Sequence, residues 1–328
     1  MRPIRITGSG CYLPEKVYSS EIERKFGLAQ GWSQRYSGVE VRHQAAWESG
    51  GYMGAKAIEA ALAQAELPLS ELDMIIAAGA TFDYPLPSQS AVIKSQLAQG
   101  AHSHTATIDV DSTCLSFISA FEIAAKLLDG KQYKNIAIVS SEIASKGLSP
   151  TRPETLTLFG DAAAAFILSF DETKPSGFIK AGLKTYSQGV NYTIIKGGGN
   201  QYFFKDFAYD QELHAFEMDG MKLLKMGKEK IPSFMEWFFE DLSQKITDIP
   251  VIIPHQASQT ALHLFKKMYD FAPNQLQQNL ATHGNCIAAS IPLLLHQTIA
   301  AGTLKRGDLC LLCGTSAGFS IGAALFQY

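Results

Sequence analysis

The chain has 328 residues, 46% hydrophobic and 18% charged, with a formal net charge of −3. This composition excludes a disordered chain, and the near-neutral balance argues against nucleic acid or an anionic membrane as the main partner. No run of about 18 apolar residues predicts a membrane span. The N-terminus has no apolar stretch of signal-peptide type, and the odd number of cysteines, 5, does not read as a disulfide framework, so a cytoplasmic protein with reduced thiols is expected.

In chain order, Ile4 and Ile6 alternate with polar residues like a strand. An Ala- and Leu-rich helix is predicted over Ala55 to Ala65, then an apolar strand, Met74 to Ala78, and a helical run, Ser88 to Leu97. The strand-like TIDVD leads into a small-residue turn that opens a long apolar helix, DSTCLSFISAFEIAAKLLDG, ending at Gly130. Strands NIAIVSS from Asn135 and GDAAAAFIL from Gly160 follow. The polar, turn-rich DETKPSG comes next.

The second half repeats this order. A helical stretch, Met221 to Leu242, precedes the strand Val251 to Ile253 and a helical run, Gln259 to Tyr269. HGNCIAASIPLLLHQTIAAG is again a small-residue turn opening an apolar helix, ending at Gly302. The strands LCLLCG from Leu309 and GFSIGAALF from Gly318 close the chain. Alternating strands and helices predict an α/β fold with a mostly parallel sheet covered on both faces. The echo predicts a pseudo-twofold duplication, with halves at 1–170 and 171–328.

Candidate chemistry falls at corresponding places in the two halves. Cys114 stands at the start of a helix, where the dipole and free N–H groups favour thiolate; the plain alternative is a small core residue. Asn285 is expected at the equivalent point of the second half, as a hydrogen-bond donor to an enolate oxygen or simply as a helix cap. His255 follows a strand end in IIPHQAS, where an imidazole can donate to an oxyanion or move a proton; a lone His is otherwise a structural residue.

No metal site is expected. Cys310 and Cys313 lie three apart on one strand and face opposite sides. Cys286 and Cys11 read as packing, His102 and His104 as a solvated loop, and the run Gly197 to Gly199 as a turn.

Together these segments resemble the β-ketoacyl-ACP synthase III family of the thiolase-like superfamily. The resemblance covers ITGSGCYLPEKV, GWSQRYSGVEVRH, DVDSTCLSF, LFGDAAAAF, MDGMKLLK, PHQAS, HGNCIAAS and GTSAGFSIGAALF. It implies a five-layer αβαβα fold and a Cys114, His255, Asn285 site. There Cys114 takes an acyl group from a thioester, and His255 and Asn285 hold a malonyl thioester (malonyl-ACP or malonyl-CoA) through decarboxylation. It implies an oxyanion hole from the N–H groups of Cys114 and Ala317. It places Trp32, Arg35, Leu86, Ser258 and Phe319 near the substrate or coenzyme A. It implies no cofactor beyond the acyl-CoA and malonyl thioester substrates, a homodimer, and an acyl carrier protein as partner. Lys222, Lys225, Lys228, Lys230, Lys266 and Lys267 are a candidate docking patch for that carrier, or ordinary solvated helix faces.

The sequence departs from the family at Leu115 and Ser116 beside the nucleophile, at Tyr36, at Ser258 and Thr260, and at Ala317. The nucleophile, His and Asn are kept, and the surroundings that grip thioesters are altered, which points to a specialised primer or chain length. The alternatives are acyl transfer or thioester hydrolysis without condensation through the same acyl-cysteine, and a cysteine protease, whose secreted, disulfide-bearing character is missing here.

Overall fold

The computed structural model describes residues 1–173, 176–208 and 210–328. Lys174 and Pro175, inside the turn-rich DETKPSG, lie outside the described residues.

The first half runs β1 (Ile4–Tyr12), β2 (Glu15–Tyr18), α1 (Ser19–Lys25), α2 (Trp32–Tyr36), β3 (Val41–Gln44), α3 (Gly50–Ala65), β4 (Met74–Ala78), α4 (Gln89–Gln96), β5 (Ala106–Val110), α5 (Ser116–Leu127), β6 (Asn135–Glu142), α6 (Pro153–Leu156) and β7 (Ala162–Phe170). The second runs β8 (Gly177–Thr185), β9 (Thr193–Ile194), β10 (Glu217–Met218), α7 (Gly220–Phe239), β11 (Val251–Pro254), α8 (Gln259–Tyr269), α9 (Leu280–His283), α10 (Ser290–Ala300), β12 (Leu309–Ser316) and β13 (Ser320–Gln327).

One large sheet has the order β1-β7-β6-β4-β5 and the other β11-β12-β13-β8. The expectation of mostly parallel sheets is corrected. β4–β5, β4–β6 and β11–β12 are parallel, whereas β1–β7, β6–β7, β12–β13 and β8–β13 are antiparallel. The cause of the misreading is burial. β7 and β13 are apolar on both faces because helices cover both sides of each sheet, and such a strand carries no alternation that would reveal its direction.

The layers follow from which residues share a core. Met53, Ile58 and Ala61 of α3 and Ile93 of α4 pack with Ile75, Val139 and Ala165 on the outer face of the first sheet. Phe117 and Phe121 of α5 and Leu294 of α10 fill the space between the sheets, against Ile76, Ile138, Leu312 and Phe326. Phe234 and Phe238 of α7 and Phe265 of α8 cover the outer face of the second sheet, against Ile252, Leu311 and Ile321. The result is the five-layer αβαβα arrangement.

Small residues set the layer spacing. A Cβ on Gly8 or Gly10 of β1 would collide with the carbonyl oxygens of Ala61 and Ala57 in α3, so glycine is what lets that helix lie on that strand. α3 starts at Ser49, whose hydroxyl accepts the Tyr52 N–H at 3.1 Å. Gly130 and Gly302, with φ of 71° and 70°, end the two central helices as the sequence predicts.

Candidate active site

Both central helices are entered through the same construction. After β5 the chain passes Asp111 and Ser112 into a 3-10 turn, Thr113–Leu115, and then into α5. Thr113 has φ of 51°, a left-handed conformation that is costly for a β-branched residue. Two bonds pin it: Thr113 N–H donates to Asp111 Oδ1 at 2.7 Å, and Ser112 N–H to Ser116 Oγ at 2.9 Å. In the second half, Ile287 has φ of 50° and its N–H donates to Asn285 Oδ1 at 2.9 Å, while Cys286 N–H donates to Ser290 Oγ at 2.9 Å.

These matched bonds fix the register of the repeat and correct one expectation. Asn285 is the counterpart of Asp111, and the position equivalent to Cys114 is Ala288. The sequence echo located the turn but was three residues out within it, because small residues fill both turns and leave no periodic signal.

Cys114 lies in its turn with Leu115 and Phe117 buried beside it. Its sulfur accepts N–H groups from Ala317 and from Cys114 itself. Even so, burial pushes the thiol up to about 12, and the nearby Glu142 and Asp111 carboxyls add to the rise. The expected thiolate-favouring helix start is therefore outweighed by desolvation in the unliganded protein. Glu142, at the end of β6, is a buried carboxyl raised to about 8 by burial, against the N–H groups that favour its charge. It accepts the N–H groups of Ala80 and Thr81 at 2.8 and 3.0 Å and the Thr81 hydroxyl at 2.5 Å. Glu142 thereby holds the segment after β4, whose Gly79 carbonyl accepts the Ser116 hydroxyl at 3.3 Å.

His255 follows β11 and is buried. Its N–H donates to the Cys313 carbonyl at 2.8 Å, which extends the β11–β12 ladder by one bond. Burial lowers the imidazole to about 4, so the ring is neutral near pH 7 and has one N–H to give. Gly314 sits between this histidine and the Cys114 turn. A Cβ there would lie 2.6 Å from the His255 Cβ and 3.4 Å from Leu115 Cδ2.

Asn285 is held across the two halves. Its N–H donates to Leu158 at 2.9 Å, its carbonyl accepts the Gly160 N–H at 3.1 Å, and its Nδ2 donates to Ala257 at 3.2 Å, two residues past His255. Gly160 is required here, since a Cβ would strike the His283 carbonyl. The turn at 113–115 meets both the turn at 287–289 and β12. Asn285 is thus tied to the segment after His255, and the Cys114 turn abuts the turn that Asn285 opens.

Residues 108–187 match the model of 3-oxoacyl-[acyl-carrier-protein (ACP)] synthase III, and residues 239–328 match that of its C-terminal part. The two segments contain Cys114, His255 and Asn285 and cover more than half of the chain. The chain belongs to the β-ketoacyl-ACP synthase III family. It is 29% identical to the β-ketoacyl-[acyl-carrier-protein] synthase III of Rickettsia bellii, over 99% of both chains. The crystal structure of the 3-oxoacyl-[acyl-carrier-protein] synthase III of Aquifex aeolicus superposes with a TM-score of 0.88 at 26% identity, covering 99% of this chain and 100% of that one. The corresponding enzyme of Pseudomonas aeruginosa gives 0.89 at 23% identity, over 100% and 98%, which shows a shared fold.

The outer residues expected from the synthase III resemblance fare unevenly. Trp32 stacks on Tyr36, ring centroids 4.0 Å apart, and Arg35 lies 5.5 Å from the Tyr36 ring. Just past α2, a Cβ on Gly38 would meet the Gln259 side chain at 2.8 Å, so the Trp32 helix leads to the start of α8. Leu86 is 85% exposed. The Ser258 hydroxyl caps α8 by accepting the Ala261 N–H at 3.2 Å. Phe319 is buried at 1% exposure and packs 6.2 Å from the Tyr186 ring, in the outer core.

Cys310 faces the central core and Cys313 the outer one, on opposite sides of β12. Among the described residues no cluster of metal-ligating side chains occurs. Glu142 and Asp111 were missed in the sequence. A lone acid closing the apolar run NIAIVSSE was the available signal for the first; nothing distinguished Asp111 from a solvated turn residue.

Proposed function

We propose that this synthase III relative joins an acyl group carried on Cys114 to a malonyl thioester by decarboxylative Claisen condensation. The Cys114 thiol displaces the thiol of an incoming acyl thioester. The acyl oxygen then lies at the Ala317 and Cys114 N–H groups, the donors that contact the sulfur. His255 and Asn285 donate to the carbonyl oxygen of the malonyl thioester. The bond from the α-carbon to the carboxylate breaks, CO2 leaves, and the electron pair becomes an enolate on that oxygen. The enolate carbon attacks the acyl carbonyl, and Cys114 leaves as thiolate and regains a proton. The product is a β-ketoacyl thioester.

The observation that carries this reading is that the nucleophile's turn, His255 and Asn285 come from both halves to one place, in a chain of this family. A neutral imidazole and an amide suit an oxygen that gains charge during reaction. Acyl transfer or hydrolysis without decarboxylation leaves these donors without a task and is not favoured by the family match.

Partners follow from the same reading. A homodimer is supported by the edge strand β5, which has no neighbour on one side, by exposed Ile108 on it, and by Leu86 standing clear of its own subunit. An acyl carrier protein is supported by exposed Lys225, Lys228, Lys266 and Lys267 on the adjoining helices α7 and α8; Lys222 and Lys230 are paired with Asp219 and Glu229. A cytoplasmic setting is supported by free cysteines throughout.

The test is intact-mass analysis with a panel of acyl-CoA and acyl-carrier thioesters. A mass gain equal to the acyl group, absent in Cys114→Ala, supports the acyl-enzyme. A gain that survives that substitution overturns it.

A further inference from the structure

Leu115, the residue after Cys114, is fully buried in the core between the two sheets. Its two methyl groups lie over neighbouring glycines of the second sheet. A Cβ on Gly314 would stand 3.4 Å from Leu115 Cδ2, and a Cβ on Gly322 would stand 3.1 Å from Leu115 Cδ1. Gly314 of β12 pairs with Gly322 of β13, and Gly322 pairs with Leu183 of β8. His255 completes this row on the other side. Its N–H donates to the Cys313 carbonyl, and a Cβ on Gly314 would lie 2.6 Å from the His255 Cβ. Side chains alternate along β11, so His255 shares the central face with Val251 and Ile253. Two paired glycines thus leave a hole in the sheet beside His255, and Leu115 fills it. The Cys114 turn touches the second half again where the Cys114 sulfur accepts the Ala317 N–H.

Resting on the condensation reading above, we propose that Leu115 is a positioning residue that sets the distance between the acyl group on Cys114 and the enolate held at His255. Leu115 is joined to Cys114 in a turn pinned by hydrogen bonds, and it rests on the strand row that carries His255. Its volume is the spacer between them, and a close-packed core lets a change of that volume be felt. Neither half-reaction alone needs this spacing. Acylation needs Cys114 and its two N–H donors, and decarboxylation needs the donors on the malonyl carbonyl. Only the carbon–carbon bond needs both groups at once, with the reacting carbons about 3–3.5 Å apart. An enolate out of reach of the acyl carbonyl takes a proton from water instead. The malonyl thioester then ends as CO2 and an acetyl thioester, and the acyl group stays on Cys114. Leu115 therefore governs how much of the CO2 release is productive.

The test uses the full-length protein with its acyl group already loaded on Cys114, supplied separately with malonyl-CoA and with malonyl carrier protein. CO2, acetyl thioester and β-ketoacyl thioester are measured together. The parent should give a β-ketoacyl product for nearly every CO2. In Leu115→Ala, loading of Cys114 should persist, which reports that the variant folds. The β-ketoacyl product per CO2 should fall roughly tenfold, with the balance appearing as acetyl thioester. Leu115→Met conserves volume and should keep the parent ratio. Leu115→Val should lie between, and it carries the test where Leu115→Ala does not fold. An unchanged ratio in every folded variant, or a loss in Leu115→Met as large as in Leu115→Ala, overturns the spacing role and leaves the condensation reading intact. No β-ketoacyl product from the parent with either donor overturns both.

Discussion

Cys114 is subject to opposed effects: N–H groups aimed at its sulfur favour thiolate, and burial beside Glu142 and Asp111 favours thiol. Burial wins in the free enzyme, with the thiol at about 12. Alkylation of Cys114 by iodoacetamide should therefore rise about tenfold per pH unit through the neutral range without levelling, since only thiolate reacts. A plateau near pH 7 would show that the N–H groups prevail. His255, lowered to about 4, is neutral near pH 7 and keeps one ring N–H to give. Condensation from preloaded enzyme should be insensitive to its titration near neutrality and fail as pH falls through about 4. Glu142 has the opposite sign. Its native value of about 8 lies above the ordinary 4.5, so the stability linked to its proton is present at low pH and lost as pH rises through about 8. Denaturant melts of Glu142→Gln across that window should show a shallower decline than the parent. Cys114, His255 and Asn285 could be singled out in the sequence because their motifs are compact. The direction of the Cys114 shift was not, because it depends on what buries the thiol.

At the scale of elements, helices and strands were legible wherever periodicity or caps mark them. The predicted run Gln259 to Tyr269 coincides with α8, and Met74 to Ala78 with β4. Strand direction was illegible in β7 and β13, because strands buried on both faces read alike whichever way they run. The matching of Asn285 to Asp111 rather than to Cys114 emerged only from side-chain bonds inside the turns. Two substitutions test what holds these elements in place. Ser258→Ala removes the cap of α8 and should lower stability by about 1 kcal/mol in chemical denaturation, with Ser258→Asp restoring most of it. Gly10→Val forces a side chain into the Ala57 carbonyl of α3 and should lower stability by about 1–3 kcal/mol. A neutral result would mean that α3 can move away from β1 freely.

The whole molecule has two matching turns that differ in their residues: one bears Cys114, and its counterpart bears Ala288 there and Asn285 at the position of Asp111. The duplication was legible as order and composition; the functional asymmetry required three-dimensional register. At this scale the open edge of β5 matters too. Ile108→Glu places a charge on that edge and, in the proposed homodimer, should halve the mass read by light scattering after size exclusion; an unchanged mass would remove β5 from the interface. The most direct measurement of the central claim follows both half-reactions in one protein, Asn285→Ala. Acylation of Cys114 is read by intact mass, and CO2 release from a malonyl thioester is read separately on the preloaded enzyme. Acylation should remain near the parent rate while CO2 release falls by roughly 10²–10³. Equal loss of both half-reactions, or unimpaired CO2 release, would contradict it.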